Sequence, residues 1–170
     1  MTAAWRGRFL EMHVTPFGSG GRWEFVRRVN GVEAAVILAL TEAGEVVLVE
    51  QFRPPLGRSC IELPAGLVGD ECPGEDPFDS ARRELLEETG FEAAHWENIG
   101  KFASSPGMVG EEFHFYRATG LTRVGPGGGV EGEGIEVHVV PLSDIPAFLD
   151  TARARGSCLD MRMLILLKLV

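Results

Sequence analysis

Residues 69–91 read GDECPGEDPFDSARRELLEETGF, and their second half, 78–88, has the period of an amphipathic helix. At about 100° per residue, Phe78, Ala81 and Leu85 fall on one side. Glu84 and Glu88, four apart, stack on a neighbouring strip, and Glu87 joins them from three positions away. Pro77 suits the first helical position, where its missing N–H would have been an orphan donor, and Gly90 suits the stop. Like charges on one strip repel, each contact near 4 Å costing about 1 kcal/mol in water and about 4 kcal/mol at a protein-like effective dielectric. Something positive must offset that cost. Arg82 and Arg83 supply part of it as a solvated salt-bridge face.

Working outward, a chain of 170 residues with 45% hydrophobic and 24% charged residues has the length and composition of one ordinary globular domain. A net charge of −9 argues against non-specific binding to nucleic acid or a membrane surface. It suits a carboxylate-rich site whose charge falls when cations bind. Cys60, Cys72 and Cys158 are widely spaced with no C-x-x-C, so neither a disulfide framework nor a zinc site is signalled. His13, His95, His114 and His138 show no ligand spacing. No signal peptide is evident and the apolar stretch 161–170 is broken by Arg162 and Lys168, so a cytoplasmic protein is expected.

Residues 5–14 and 22–29 read as strands parted by the breaker-rich segment 16–21, and they need a partner surface because two short strands build no core. The apolar run 34–40, the turn 42–45 and the run 46–52 predict a hairpin at the heart of a mixed sheet. A short strand over 60–63 runs into Pro64-Ala65-Gly66. Beyond the helix, 96–102, 113–117 and 135–140 are strand candidates, and six glycines between 125 and 134 exclude regular structure there. Helices are expected over 143–151, capped by Ser143, and over 159–169, capped by Ser157. The expected architecture is α/β (α+β), a mixed sheet sandwiched between helices, with an N-terminal antiparallel strand region over 1–30.

Clustered carboxylates without a Cys or His set favour hard cations, Mg²⁺ or Mn²⁺, which keep waters and bridge to phosphates. Metal-assisted phosphoryl chemistry follows from the residues alone. Gly69, Glu75, Arg83, Glu84, Leu85, Glu87, Glu88, Gly90 and Phe91 then match in order the Nudix box, G-x5-E-x7-R-E-U-x-E-E-x-G-U, with U aliphatic or aromatic. The chain resembles the Nudix hydrolases, which cleave nucleoside diphosphates linked to another moiety. The resemblance implies that Glu84 and Glu88 are metal ligands, that Glu87 assists, and that Arg83 orients the carboxylates with Glu75 nearby. In the most similar subgroup the box glycine belongs to a P-A-G segment, here Pro64-Ala65-Gly66. A three-residue insertion is inferred, with Gly66 the structural equivalent, Gly69 a coincidental match, and the Ala65 carbonyl a metal ligand.

The flanks resemble ADP-ribose pyrophosphatases. Gln51-Phe52-Arg53 is similar to their Q-[YFI]-R strand end, where arginine contacts phosphate, and residues 62–66 to their E-x-P-A-G. Ser105-Pro106-Gly107 with Glu111 is similar to their S-P-G-x3-E loop, whose glutamate contacts the nucleoside side. Residues 131–140 resemble an E-x-E-x-I-x-V segment, implying Glu131 as base for the attacking water and Glu133 as a further metal ligand. Glu111 and Glu112 are alternatives for the base. Trp23, Phe25, Arg27 and Arg28 lie where relatives hold the adenine; no spacing selects among them, and Arg27 is the one assigned to substrate. The expectation is a Mg²⁺-dependent (Mn²⁺ also fits) homodimeric hydrolase of a small nucleoside diphosphate, cutting ADP-ribose to AMP and ribose 5-phosphate. Another nucleotide sugar such as GDP-mannose, a dinucleoside polyphosphate, and a non-catalytic binding domain are the alternatives.

Overall fold

The computed structural model describes residues 2–69, 74–130 and 132–168. The carboxylate-bearing helix, α1, spans Pro77–Thr89, and its ends form as the sequence predicts. The Asp76 side chain accepts the Phe78 N–H at 2.8 Å, Pro77 takes the first turn, and Gly90 stops the helix in the left-handed region at φ 73°. Ala81 and Leu85 are fully buried and, with Phe78, pack onto the sheet, whereas the same helix also buries Glu84 and Glu88.

The strands are β1 (Thr2–Arg6), β2 (Leu10–Phe17), β3 (Gly21–Arg28), β4 (Ala34–Leu40), β5 (Glu45–Arg53), β6 (Arg58–Glu62), β7 (Ala65–Leu67), β8 (Phe91–Ala103), β9 (Glu112–Arg123), β10 (Glu136–Pro141) and β11 (Cys158–Leu159). The main sheet runs β11-β6-β5-β4-β9-β8, with β10 on β5 and β7 on β4. Strand β4 is apolar throughout because both of its faces are covered. Ala35, Ile37 and Ala39 join the core under α1; Val36 and Leu38 join the opposite core, with Ile145 and Ala152 of helix α2 (Ile145–Ala154) and Met163 and Leu166 of the 3-10 segment Met161–Lys168. The expected sandwich is thus observed, with β4–β9 and β6–β11 parallel in an otherwise antiparallel sheet.

The central hairpin forms only at its turn. Ala39 and Leu40 pair with Val47 and Val46, after which the strands part and β7 takes β4's edge, Ala35 opposite Gly66 and Val36 opposite Ala65. That divergence brings the Ala65–Gly66 backbone under α1. Three further expectations are corrected. Residues 5–14 are two strands, because at Gly7 the chain turns back (Gly7 N–H to Leu10 C=O, 2.8 Å) and β1, β2 and β3 make a separate three-stranded sheet. Ser143 does not cap α2, which begins after a 3-10 turn with its hydroxyl bonded to Asp144. The stretch from 158 opens as strand β11 and continues as 3-10 turns. Its local support is Asp160, which accepts the Arg162 backbone N–H at 2.6 Å, while the Ser157 hydroxyl donates to Glu50 at 2.7 Å. Among the described residues no helix is long and apolar enough to cross a membrane.

Gly90 ties α1 to the glycine-rich loop: its C=O accepts from Val124 and Gly125, and a Cβ there would sit 2.2 Å from the Gly125 carbonyl oxygen. Positive φ and backbone collision act together, so Gly90→Ala is expected to lower unfolding free energy by about 2 kcal/mol or more, read as the midpoint shift in urea. An unchanged midpoint would remove the glycine's role as the helix stop.

Candidate active site

Arg83 is the hub of the helix face. Its Nη1 donates to Glu84 at 2.9 Å and to Glu87 at 3.1 Å, and its Nε and Nη2 reach the two oxygens of Glu75 at 3.2 and 3.3 Å. Burial alone would lower the arginine's pKa; its hydrogen bonds to Glu75 and the charge of Glu84 drive it up instead. The same contact, hydrogen-bonded guanidinium first, holds the Glu75 carboxyl below its ordinary value. Arg83 therefore neutralises part of the carboxylate strip and fixes Glu84 in place.

Glu84 lies directly against the Gly66 backbone: a Cβ on Gly66 would fall 1.8 Å from the Glu84 Cδ. Only glycine fits, which supports Gly66 as the structural glycine of the motif. Gly69 is not idle, however. It adopts φ 78° and its N–H donates to Glu75 at 3.2 Å, so the coincidental match is corrected to a second use of glycine in one loop. One turn further on, Glu88 is 6% exposed and accepts the Ala65 N–H at 2.9 Å. Burial pushes its carboxyl up to about 8, and the charges of Glu84 and Glu133 add to that against the Ala65 hydrogen bond and Arg53.

These carboxylates open into a cavity of about 630 Å³ lined also by Glu133, Arg53, Glu62, Arg28, Glu111 and Arg162. Glu133 is exposed, held by the Val130 N–H at 2.9 Å. Arg53 forks onto Glu62 through Nε and Nη2 at 2.6 and 2.9 Å, and Arg162 reaches the same carboxylate at 3.1 Å while forking onto Asp160. Glu62 so aligns two guanidinium groups on one wall. In the same lining, Arg28 pairs with Glu111, whose second oxygen accepts from the Ser104 hydroxyl at 3.4 Å. The loop bearing Glu111 is docked on β3, with Val26 bonded to Met108 and Gly110 and the Trp23 indole N–H donating to Gly107 at 3.2 Å.

The expected site residues divide accordingly. Ala65, Glu84, Glu88, Glu133, Arg53 and Glu111 share the cavity wall. Glu87 and Arg83 stand behind it, and Glu112 points away to Lys101 at 3.1 Å. Glu131 lies outside the described residues. Arg27, expected at the substrate, stacks over Phe25 at 5.2 Å and lies against Gly110, while alternation along β3 sets its neighbour Arg28 on the cavity wall. Glu62 entered the sequence reading only as the first residue of the E-x-P-A-G match, with no role assigned, and Asp160 and Arg162 had none either. The only signal for Arg162 was a charge interrupting an apolar stretch.

The cavity floor offers oxygen donors only, with a buried carboxyl whose proton a divalent cation would displace, and this donor set fits Mg²⁺ or Mn²⁺. Among the described residues, the one group whose donor atoms already lie within 4.8 Å of each other is elsewhere: Glu50, Glu136 and His138. There the Glu50 carboxylate is occupied by Ser157, His138 and Arg155, so a cation would have to displace a guanidinium. In the cavity, Arg83 and the Val130 N–H hold Glu84 and Glu133 apart, which limits repulsion without a cation.

Comparison with known proteins agrees with this geometry. The NUDIX domain family matches residues 30–159. The chain is 35% identical to the methanol dehydrogenase activator of Bacillus methanolicus, covering 89% of this chain and 81% of that protein. It is also 35% identical to the ADP-ribose pyrophosphatase of Bacillus subtilis, covering 81% and 74% respectively. A solved structure described as an ADP compounds hydrolase superposes with a TM-score of 0.71 over 98% of this chain and 89% of its own at 24% identity, a likeness of fold.

Burial pushes the Glu88 carboxyl up to about 8, so a cation taking Glu88 as a ligand would have to displace its proton. The sign follows: affinity for Mn²⁺ is expected to rise by about 10²-fold from pH 6 to pH 9 and then level off, measured by calorimetry, with proton release at the lower pH. A pH-independent affinity would contradict the assignment of Glu88.

Proposed function

Because the chain belongs to the Nudix family of hydrolases, we propose that it is a Mg²⁺-dependent pyrophosphohydrolase cleaving ADP-ribose to AMP and ribose 5-phosphate. The observation that carries this reading is one cavity whose lining holds the carboxylates of Glu84, Glu88 and Glu133 together with the guanidinium groups of Arg53, Arg162 and Arg28. The carboxylates would hold cations that neutralise a diphosphate, and the arginines would meet its remaining oxygens.

Mg²⁺, or Mn²⁺ in its place, supplies charge neutralisation of the diphosphate and a more acidic water. Glu84, Glu88, Glu133 and the Ala65 carbonyl hold it; Arg83 and Gly66 fix where Glu84 sits. Glu131 takes the proton of the attacking water, carried on the glycine-rich stretch that also bears Glu133, and Glu111 is the alternative acceptor within the cavity. Arg53 orients phosphate, and Glu62 orients Arg53. Arg28 replaces Arg27 as the arginine from β3 that meets the substrate, and Glu111 fixes its fork. The exposed Phe17 and Trp23, in ring contact on one face of the N-terminal sheet, and Trp5 and Met12 on its other face support a homodimer formed through this sheet.

Turnover of ADP-ribose with Mg²⁺, resolved by product chromatography beside GDP-mannose and a dinucleoside polyphosphate, tests the reading. AMP and ribose 5-phosphate are expected, with Glu84→Gln and Glu88→Gln each losing about 10²-fold or more in kcat without loss of fold. Near-normal turnover in both variants, or preference for another substrate, would overturn it. For the arginines, Arg28→Ala is expected to raise KM by about 10-fold, the scale of one charged hydrogen bond, while Arg27→Ala leaves KM nearly unchanged. The reverse ranking would restore Arg27.

A further inference from the structure

β6 and β11 run parallel beside the cavity, and their register sets Cys158 opposite Cys60 and Leu159 opposite Ile61. Cross-strand partners project from the same face of a sheet, and the two thiols are near enough to interact. Both thiols are free. Neighbouring strands lie about 4.8 Å apart, inside the Cα range of about 4.4–6.8 Å that a disulfide spans. We propose that Cys60 and Cys158 are an oxidisable dithiol whose disulfide, formed by a peroxide, fastens the C-terminal segment to the wall of the active-site cavity.

The two sulfurs differ in a way that orders the chemistry. Cys158 is half-buried, with its Sγ 3.9 Å from the exposed Arg58 guanidinium, and it is the thiol a small oxidant reaches. Cys60 is 4% exposed, and burial first, then the charge of Glu62, pushes its thiol up to about 12. Cys158 therefore reacts first and Cys60 resolves. The Cys158 sulfur attacks one peroxide oxygen; the O–O bond breaks, and water leaves a sulfenic acid. The Cys60 sulfur then attacks the Cys158 sulfur; the S–O bond breaks, a second water leaves, and the S–S bond forms. Two thiols lose two electrons and two protons, and one peroxide becomes two waters.

The placement gives the bond a consequence. β11 is held to β6 by only two residue pairs, and the segment that follows carries Asp160 and Arg162 into the cavity. Cys60 lines the same wall two residues before Glu62. A covalent tie at this point joins β6 to the segment presenting Arg162 and closes a loop of more than half the chain.

The test uses the full chain carrying Cys72→Ser, so that the pair supplies all remaining thiols. Treatment with hydrogen peroxide is expected to remove two hydrogens from the intact mass and to abolish alkylation of both thiols. A digest should yield a peptide linking Cys60 to Cys158, the thermal midpoint should rise, and dithiothreitol should reverse each change. Cys158→Ser should abolish both the linked peptide and the rise in midpoint. Sulfinic or sulfonic acid on Cys158 with Cys60 still alkylatable, disulfides only between molecules, or no reaction in the folded protein would each overturn the proposal.

Discussion

Two carboxylates of one helix, Glu84 and Glu88, are buried beneath a strand that has no side chain where it crosses them. Burying an ionised carboxyl is costly unless it is paired, and the surrounding structure can be understood as the set of features that makes this burial tolerable. Gly66 clears the volume. Ala65 lends its N–H to Glu88, and Arg83 binds Glu84 together with Glu75 and Glu87. Burial, with the charges of Glu84 and Glu133 added to it, pushes the Glu88 carboxyl up, and a cation bound there would displace its proton. The separation of β4 from β5 after two residue pairs serves the same end, because it lets β7 enter the sheet beside α1.

The rest of the cavity pairs arginines with carboxylates brought from distant parts of the chain. Arg53 ends β5, Arg162 follows β11, and Arg28 ends β3; each is held by a carboxylate, Glu62 for the first two and Glu111 for the third. Such pairs fix the geometry of the guanidinium fork at a modest cost in free charge. The N-terminal sheet thus does more than offer an apolar face. Its third strand carries Arg28 and docks the loop from which Glu111 meets it.

Most of the helix-and-sheet layout was legible because it rests on local rules. The boundaries of α1 follow from Asp76, Pro77 and Gly90, and those of β4 from an unbroken apolar run. The failures share a cause in tertiary contacts. Residues 159–169 have an apolar content that suits a helix, but pairing of Cys158 with Cys60 takes the first residues into the sheet. Arg27 and Arg28 are equivalent in composition, and only the register of β3 decides which faces inward. Gly66 and Gly69 competed for one role in the motif, whereas the folded loop uses both, one for closeness to Glu84 and one for its positive φ. The partnership of Glu62 with Arg162 joins residues 100 apart, and no local pattern announces it.

On the proposed function, the carboxylates of α1, rather than the tighter group at Glu50, Glu136 and His138, would hold the cation. Titration with Mn²⁺ followed by electron paramagnetic resonance tests this without reference to any substrate. The account predicts that Glu84→Gln and Glu88→Gln abolish tight Mn²⁺ binding with the thermal midpoint preserved, while His138→Ala binds as the unaltered protein does. Binding retained in both glutamine variants and lost in His138→Ala would contradict it.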